Sequence, residues 1–240
     1  MPRSLIVSAA PSPASFTAQW AGVSAACCDA PVVTDLVARG FDPVERPDHF
    51  GAGPDILKAQ EASAPPPDIA GDVAALQAAD RLILHFPVWW FGPPAILKGW
   101  LDRVLMNGVF HRGSARFDQG LARGKSALFC VSTGATLAEC GPDGREGDIR
   151  MVLWPLAYAL RYCGIEVLEP VCVHGVHGYH DGAARTALET RLHAALDAQP
   201  RVIAGWDEHP RLAFNADADF DADGRLRPDA PSVTPFIRRR

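Results

Sequence analysis

The sequence predicts an α/β fold built on a doubly wound parallel sheet of five strands. Short apolar runs alternate with segments of helical spacing along residues 4–198. Near-continuous apolar runs are typical of strands that helices cover on both faces, which favours a parallel sheet. Because parallel crossovers are right-handed, the helices then fall on two faces. The 21 Gly and 21 Pro indicate many turns and loops rather than a helical bundle.

Each predicted strand is a short apolar segment bounded by polar residues, Gly or Pro. SLIV comes first, RLILHF ends at Pro87, and SALFCV is followed by hydroxyl side chains and Gly134. The predicted strands are residues 4–7, 32–37, 81–86, 126–131 and 165–173.

The predicted helices lie between these strands. Residues 69–79 carry apolar side chains at helical spacing, and Pro94 is tolerated in the first turn of the next helix. Asp148 is placed to cap a later helix, which is expected to stop near Gly164. The predicted helices are residues 16–26, 69–79, 94–106, 149–162 and 183–198, and the Pro-rich residues 40–67 are expected to form a loop. Residues 1–200 are therefore expected to form one domain, followed by an irregular C-terminal extension at residues 201–240.

The composition excludes several classes of protein. Lys and Arg total 23 against 28 Asp and Glu, a net charge of −5, so the basic excess of a nucleic-acid binder is absent. The longest apolar stretch, residues 82–97, contains His85 and several Pro, so no membrane span or signal peptide is expected. The six Cys form no C-x-x-C pair and are expected to be reduced thiols of a cytoplasmic protein.

Ligands of doubly wound sheets bind beyond the carboxyl ends of the strands, where the predicted loops lie. The first loop, residues 8–17, carries four hydroxyl side chains ahead of a helix, whose free amides attract phosphate. Ser15 either caps that helix or binds phosphate, and the sequence leaves both interpretations open. The chain contains neither G-x-G-x-x-G nor G-x-x-x-x-G-K-[ST], the signatures of dinucleotide and P-loop turns.

The second loop, residues 85–100, contains three consecutive aromatic side chains, Trp89, Trp90 and Phe91. Three rings in a row at the end of a strand are difficult to bury in a core. They predict a flat apolar wall for a planar conjugated ligand, or a subunit interface, where Trp and Phe are enriched. The third loop, residues 132–135, has small and hydroxyl side chains that permit close approach of a ligand.

These segments resemble a known family. FPVWWFGPPAILKGWLDRV and STGA…GDIRMVLWPLAYALRYCGIEVLEP are similar to the NAD(P)H:quinone oxidoreductase (DT-diaphorase) family of flavodoxin-like flavoproteins. LIVSAAPSPASF and VVTDLVARGFDPV fit the same family, and the resemblance covers roughly residues 4–200. The tail segment ADFDADGRLRP resembles the bacterial branch. The resemblance implies a flavodoxin-like sheet.

The same resemblance implies a homodimer that binds FAD, with FMN the less favoured flavin. In that family NAD(P)H transfers hydride to the flavin and leaves. A quinone or similar conjugated acceptor then takes the same position and receives the hydride. Neither nucleic acid nor membrane insertion is expected as part of this function. Residues 201–240 are expected to pack on the dimer partner or over the cleft of their own subunit.

The site residues of the family match individual positions of this sequence. Ser15 and Phe16 match positions at the FAD phosphates and ribityl chain, and Arg185 matches an arginine near the adenine-side phosphates. Gln60 matches a glutamine that contacts the flavin. The isoalloxazine wall and the loop at the pyrimidine side of the ring are matched by Pro87, Val88, Trp89, Trp90, Phe91, Ser132, Thr133, Gly134 and Ala135.

Three positions depart from the family pattern. Ala10 stands where the family usually has His. Cys140 and Glu146 stand where animal members have the Tyr and His that stabilise the charge of the reduced flavin, so they are the candidate catalytic residues. A carboxylate would repel that charge, so Glu146 must be buried and protonated to act. An altered but retained oxidoreductase activity is expected.

Two alternative functions stay open. One is a specialised biosynthetic reductase of a quinone-like intermediate, which the residues at positions 10, 140 and 146 motivate. The other is a flavin-binding regulatory subunit of a membrane transporter, because some bacterial members of the family accompany potassium-efflux channels.

Three further patterns are interpreted as structural. The three His of residues 174–180 lack a carboxylate or Cys that would complete a metal site, and are expected to rim the substrate pocket. Residues 219–224 read D-x-D-x-D-G, but Ala230 stands where a calcium loop needs Glu, so a polar turn is expected. Lys98 and Arg103 are expected on a solvated helix face or at an interface.

Overall fold

A parallel sheet forms the centre of the molecule. In the computed structural model, which describes residues 2–51 and 55–239, the strands are β1 (Ser4–Ser8), β2 (Val32–Asp35), β3 (Arg81–Pro87), β4 (Ser126–Ser132), β5 (Glu166–Val167) and β6 (Val171–Val173). The strand order is β2-β1-β3-β4-β5, and β6 also pairs with β4. Every pairing of these strands is parallel, which confirms the predicted α/β sheet.

The predicted fifth strand is present as two short strands, β5 and β6, which pair with successive parts of β4. Pro170 lies between them and has no amide hydrogen with which to continue the ladder. The amide of Glu169 donates to the carbonyl of Pro210 at 2.7 Å. The C-terminal extension therefore takes over the hydrogen bonding where the strand is interrupted.

Within the described residues, six α-helices surround the sheet: α1 (Phe16–Ala26), α2 (Ile56–Ala62), α3 (Pro67–Ala78), α4 (Ala95–Val104), α5 (Ile149–Tyr162) and α6 (Gly182–Ala204). Two of them differ from the prediction. Helix α2 lies within residues 40–67, which were expected to form a loop, and begins where the Asp55 carboxylate accepts the first amides of the helix. Helix α6 continues past residue 198 to Ala204, because Gln199 and Ile203 are buried against the core.

Alternate side chains of the strands enter two separate cores. Leu5 and Val7 of β1 pack with apolar residues of α3, α4 and α5. Ile6 belongs to the second core, which contains Trp20 of α1 and Ile203 of α6. This two-residue alternation explains how helices cover both faces of the sheet.

A polar network crosses the second core. His85 is fully buried, and its Nε2 lies 2.9 Å from the hydroxyl of Ser24. Gln199 donates to the same hydroxyl at 2.8 Å and accepts the indole N–H of Trp20 at 2.8 Å. Burial lowers the pKa of His85 to about 3, so the imidazole is neutral in the folded protein. The network joins β3, α1 and α6.

Arg103 is fully buried, so its predicted place on a solvated face or interface is wrong. Its guanidinium donates to both carboxylate oxygens of Asp68, at 2.6 and 3.1 Å, and to the carbonyl of Asp42 at 2.9 Å. The hydrogen bond from Arg103 holds the pKa of Asp68 below its usual value. Arg103 thereby fastens the segment around Asp42 to α4. Lys98 is exposed, as predicted, and pairs with Asp102.

Residues 205–239 pack along their own subunit. Trp206 is buried in the second core. Phe214 and Phe236 both pack against Trp154 of α5, with ring centroids 5.2 and 5.1 Å from it. The extension therefore begins after α6, rather than at residue 201, and covers part of α5. Its packing against a second copy of the chain stays a prediction.

Across residues 2–51 and 55–239, no helix is long and apolar enough to cross a membrane. All six cysteines are free. Cys130 and Cys163 are completely buried, and burial raises the pKa of both thiols, to about 12 for Cys163. These two residues behave as apolar core side chains.

Candidate functional site

Three loops meet at the carboxyl edge of the sheet, because β1, β3 and β4 are neighbours. The amide of Val88 donates to the carbonyl of Ser132 at 2.8 Å, which joins the second loop to the third. The hydroxyls of Thr17 and Ser132 lie 3.3 Å apart and join the first loop to the third. A pocket of about 320 Å³ opens at this edge. Its lining residues are Val88, Trp90, Phe91, Thr133, Ala135, Cys140, Glu146, Gly147, Ile149 and Val152.

Ser15 caps α1 at the end of the first loop. Its hydroxyl accepts the amide of Ala18 at 3.3 Å and donates to the carbonyl of Ser12 at 2.7 Å. The capping interpretation is confirmed, and the remaining amides of the first helical turn keep the phosphate interpretation open. Phe16 packs against Trp20, with ring centroids 5.2 Å apart, at the edge of the second core.

The aromatic loop forms a tight turn between Trp89 and Gly92, whose amides and carbonyls pair with each other. Trp90 and Phe91, the two central residues, have positive φ angles of 48° and 61°. This left-handed backbone is unusual for large side chains and indicates local strain at a functional position. Trp90 is 97% exposed and Phe91 is 59% exposed, and both line the pocket.

Two other residues predicted for this wall lie beside the pocket. Pro87 ends β3, and Trp89 is half exposed, but neither lines the pocket. Val88 does line it. The predicted aromatic wall is therefore formed by Trp90 and Phe91 next to Val88, with Trp89 outside it.

The third loop is held in place by its backbone. The amide of Thr133 donates to the carbonyl of Val173 at 3.0 Å, and the amide of Gly175 donates to the carbonyl of Ala135 at 2.9 Å. Thr133 and Ala135 line the pocket, while Ser132 and Gly134 lie next to them in the chain. The small side chains leave the pocket open above the end of β4.

A compact loop after Ala135 carries both candidate catalytic residues to the pocket. The amide of Glu146 donates to the carbonyl of Glu139 at 3.0 Å, and the amide of Ile149 donates to the carbonyl of Cys140 at 3.0 Å. A Cβ atom at Gly144 would lie only 2.2 Å from the carbonyl oxygen of Glu139. Glycine is therefore required for the loop to close, and the closed loop places Cys140 and Glu146 on one wall.

Cys140 is a neutral thiol in this wall. It is 6% exposed, and burial raises its pKa, while a hydrogen bond with Thr133 acts in the opposite direction. A thiol with a raised pKa is a poor nucleophile at neutral pH. Cys140 is thus suited to hydrogen bonding and packing against a ligand rather than to covalent catalysis.

Glu146 is more exposed than its expected role requires. Its side chain is 35% exposed, and one carboxylate oxygen lies 3.8 Å from Nε of Arg145. Glu146 is therefore only partly buried in the subunit, and its role as a candidate catalytic residue stays a prediction.

Gln60 and Arg185 lie outside the pocket. Gln60 is buried in α2, where its side-chain oxygen accepts the amide of Asn107 at 3.0 Å. Arg185 is exposed on α6, where it pairs with Glu189 at 2.9 Å. Neither residue lines the pocket, so the subunit does not bring these two predicted residues together with the others.

Helix α5 supplies pocket residues that the sequence interpretation missed. Ile149 and Val152 belong to its first turn, and Gly147 precedes it. Asp148 caps this helix as predicted, accepting the amide of Arg150 at 2.9 Å. The sequence signal for these pocket residues was the cap at Asp148, because it places the first turn of α5 directly after the loop that carries Glu146.

The three His after β6 do not gather around one point. The rings of His177 and His180 stack with centroids 3.9 Å apart, and His180 Nε2 lies 3.1 Å from the carbonyl of Gly175. In the part of the chain that the structure describes, no group of three or more His, Cys, Asp or Glu side chains is arranged to hold a metal ion. None of the three His lines the pocket.

A larger apolar groove of about 880 Å³ adjoins the pocket. Phe91 and Val152 line both, so the two cavities are neighbours. The rest of the groove lies between α4 and α5 and ends at Phe236 and Ile237 of the extension. A groove of this kind can accept part of a ligand or another protein surface.

The residues at this edge fit a planar ring that carries a phosphate. Trp90 and Phe91 offer flat apolar surfaces, and Thr133 offers a hydroxyl beside them. Ser15 marks a helix end whose free amides favour an anion. Glu146 is the single acidic residue among those that line the pocket.

Comparison with known proteins agrees with this geometry. The sequence profile described as a flavodoxin-like fold matches residues 2–196. NAD(P)H dehydrogenase [quinone] 1 of Cavia porcellus is 32% identical over 200 residues, which are 79% of this chain and 70% of that protein. Ribosyldihydronicotinamide dehydrogenase [quinone] of Mus musculus is 36% identical over 189 residues, 74% of this chain and 79% of that protein.

Solved structures are similar over nearly the whole chain. A Klebsiella pneumoniae protein assigned as a quinone reductase has a TM-score of 0.83 and 25% identity, with 95% of both chains covered. General stress protein 14 of Treponema denticola, solved in complex with FMN, has a TM-score of 0.59 and 24% identity, with 82% of this chain and 99% of that chain covered. The second likeness shows the fold alone.

Proposed function

The chain belongs to the flavodoxin-like family of NAD(P)H dehydrogenases (quinone), and on this premise we propose that it binds FAD and transfers hydride from NAD(P)H to a quinone or similar conjugated acceptor. The observation that carries the proposal is the pocket at the carboxyl edge of the sheet. There an aromatic wall and a hydroxyl line one pocket. The capped end of α1 belongs to the neighbouring loop, which contacts the third loop through the hydroxyls of Thr17 and Ser132.

Each wall of the pocket has a separate task in this proposal. Trp90 and Phe91 hold the flat face of the ring and exclude water from it, and Thr133 orients one edge through its hydroxyl. The first turn of α1, capped by Ser15, receives the phosphate. When bound, the flavin supplies the two-electron hydride chemistry, and the protein supplies position and electrostatics.

Cys140 and Glu146 set the polarity at one edge of this pocket. The neutral Cys140 thiol adds no charge there, so it does not oppose negative charge on a reduced ring. Glu146 lies close to Arg145, which offsets the charge of its carboxylate. Together these residues replace a Tyr–His pair with a thiol and an ion pair, which agrees with an altered but retained activity.

FAD is preferred to FMN because the resemblance to the quinone dehydrogenases covers both Ser15 and Arg185. The FMN complex of the Treponema denticola protein makes FMN the competing outcome. Reconstitution with each flavin, followed by ultrafiltration and absorbance of the retained fraction, distinguishes the two. The proposal expects FAD to be retained at a lower concentration than FMN, and the reverse order would contradict it.

A homodimer is part of the proposal. The groove that adjoins the pocket is lined mainly by apolar residues of α4 and α5 and lies open on the subunit surface. A second copy of the chain would cover this surface and close the pocket from that side. Sedimentation velocity tests this directly, and a monomer that retains flavin and activity would contradict it.

A cytoplasmic location also belongs to the proposal. All six cysteines are free, and such thiols persist in a reducing compartment. Fractionation of cells that express the full chain should recover it with the cytoplasmic enzymes. Recovery from an oxidising compartment would contradict this part of the proposal.

Two other functions are distinguished by the choice of acceptor and partner. A specialised reductase is favoured by the residues at positions 10, 140 and 146, and simple quinones would then fail to reoxidise the reduced flavin.

A regulatory role is favoured by similarity to the glutathione-regulated potassium-efflux system ancillary protein KefF of Enterobacter sp. (strain 638). That protein is 33% identical over 109 residues, which are 45% of this chain and 58% of that protein. Co-purification with a membrane partner would support it.

A further inference from the structure

A second polar cavity lies at the opposite edge of the sheet. It has a volume of about 440 Å³ and is lined by residues that precede β4, end or follow α5, begin β5 or belong to the C-terminal extension. Strand β4 has seven residues. At about 3.3 Å per residue, the cavity is roughly 20 Å from the pocket at the carboxyl edge. The two cavities share no lining residue.

The cavity has an excess of positive charge. Arg123, Arg161 and Arg211 line it, against the carboxylates of Asp118 and Glu166. Three cations against two anions leave one net positive charge in a concave surface. This small positive excess favours an anion over a cation in the cavity.

Arg123 carries the charge that remains. Arg161 pairs with Asp118, and Nε of Arg211 lies 3.5 Å from Glu166. Arg123 donates only to neutral oxygens, the carbonyl of Asp118 at 3.2 Å and the side-chain oxygen of Gln119 at 3.1 Å. Across residues 2–51 and 55–239, no carboxylate forms an ion pair with it.

The rest of the cavity wall is apolar and partly aromatic. Phe117 contributes a ring from the body of the domain, and Phe214 contributes another from the extension. Ile165 and Leu212 add aliphatic surface. The Arg161 guanidinium lies 5.9 Å from the centroid of the Phe117 ring, within the range of a cation–π interaction.

We propose that this cavity binds a small organic monoanion, specifically a monocarboxylate with an apolar ring. The carboxylate pairs with Arg123 and with Nη2 of Arg211, whose Nη1 donates to the carbonyls of Asp207 and His209 at 2.7 Å. The ring lies against Phe117 and Phe214. The volume lies within the range of small-molecule sites, about 300–1,000 Å³. Since Arg211 and Phe214 belong to the extension, the bound anion holds the extension against the body of the domain.

Calorimetric titration of the full-length, flavin-saturated protein with benzoate tests the proposal. The expected result is saturable binding that leaves the flavin absorbance spectrum unchanged, because the site is remote from the flavin pocket. Arg123→Gln should weaken the affinity at least tenfold, or about 1.4 kcal/mol. Arg201→Gln removes the same charge from the exposed face of α6 and should leave the affinity unchanged.

A variant with a larger side chain in the cavity and two other ligands test whether benzoate binds in this cavity. Ala216→Phe retains all charges of the cavity but occupies its space, so it should also abolish benzoate binding. Inorganic phosphate should bind more weakly than benzoate, since it lacks the ring, and benzylamine should not bind. Benzoate should raise the thermal unfolding midpoint of the wild type and of Arg201→Gln, but not of Arg123→Gln. Absence of saturable binding would overturn the proposal. So would an unchanged benzoate affinity in Arg123→Gln or Ala216→Phe, or equal affinity for benzylamine.

Discussion

Replacing Trp90 with glycine should make the protein more stable while weakening its hold on the flavin. Trp90 has a φ angle of +48°. Its side chain is 97% exposed, so truncation removes almost no buried surface. The change therefore isolates the backbone strain of the aromatic turn from the packing of its side chain.

The magnitude follows from two opposing terms. A left-handed backbone costs a non-glycine residue about 1–2 kcal/mol. Glycine loses about 0.5–1 kcal/mol more conformational entropy on folding. The free energy of unfolding of Trp90→Gly should therefore rise by up to about 1.5 kcal/mol, which for a chain of this size raises the midpoint by up to about 6 °C. Loss of ring contact worth about 0.5–1.5 kcal/mol should weaken flavin binding about 2-fold to 12-fold.

Urea unfolding of the flavin-free protein measures the first effect, and fluorescence titration with FAD measures the second. Tyr179→Gly is the matched control, because Tyr179 is 94% exposed and is not among the residues with positive φ. That control should lose stability, since glycine relieves no strain there. If Trp90→Gly loses as much stability as the control, the turn stores no strain and the reasoning fails.

The remaining predictions concern the packing that supports the pocket. Arg103→Met should lower the free energy of unfolding by about 2–3 kcal/mol in urea titrations. The loss is below that of a fully buried pair because Asp68 is 53% exposed, and Asp68→Asn in the same background should recover part of it. His85 has a folded pKa of about 3 and an unfolded value of about 6.5. Stability should therefore fall as pH drops from about 6.5 toward 3, by up to about 1.4 kcal/mol per pH unit. His85→Gln should flatten this dependence, and an equally steep profile in the variant would contradict the assignment. Trp206→Ala should lower the free energy of unfolding by about 3–5 kcal/mol. An unchanged thermal midpoint would mean that Trp206 of the extension does not stabilise the core.

The main strands could be predicted because each is a continuous run of apolar residues in the sequence. RLILHF predicts β3, which the structure extends by one residue to Pro87. Helix α2 was missed because it lies among many prolines and depends on a cap at Asp55 rather than on a strong apolar stripe. The predicted end of α6 at residue 198 was too early, because Gln199 and Ile203 are buried by contacts with other elements that the local sequence does not show.

Contacts between residues that are far apart in the sequence could not be predicted. Arg103 and Asp68 are 35 positions apart, and no local pattern in the sequence marks them as partners. Three contributors to the pocket, Gly147, Ile149 and Val152, reach it only because the preceding loop folds back over β4.

The residues of the aromatic and hydroxyl loops were predictable from a different signal. Large rings and small hydroxyl residues directly after apolar strands predict a ligand site at the end of the sheet, and Trp90, Phe91 and Thr133 do line the pocket. No local sequence pattern pointed to Gln60, and its side-chain oxygen accepts the amide of Asn107 rather than facing the pocket.

Stopped-flow absorbance of the flavin-loaded protein tests the central claim most directly. The account predicts that mixing with excess NADH or NADPH without oxygen bleaches the visible absorbance band of the oxidised flavin. A second mixing with benzoquinone should restore the band. A protein that holds flavin but is bleached by neither nucleotide would contradict the claim that this pocket is an oxidoreductase site.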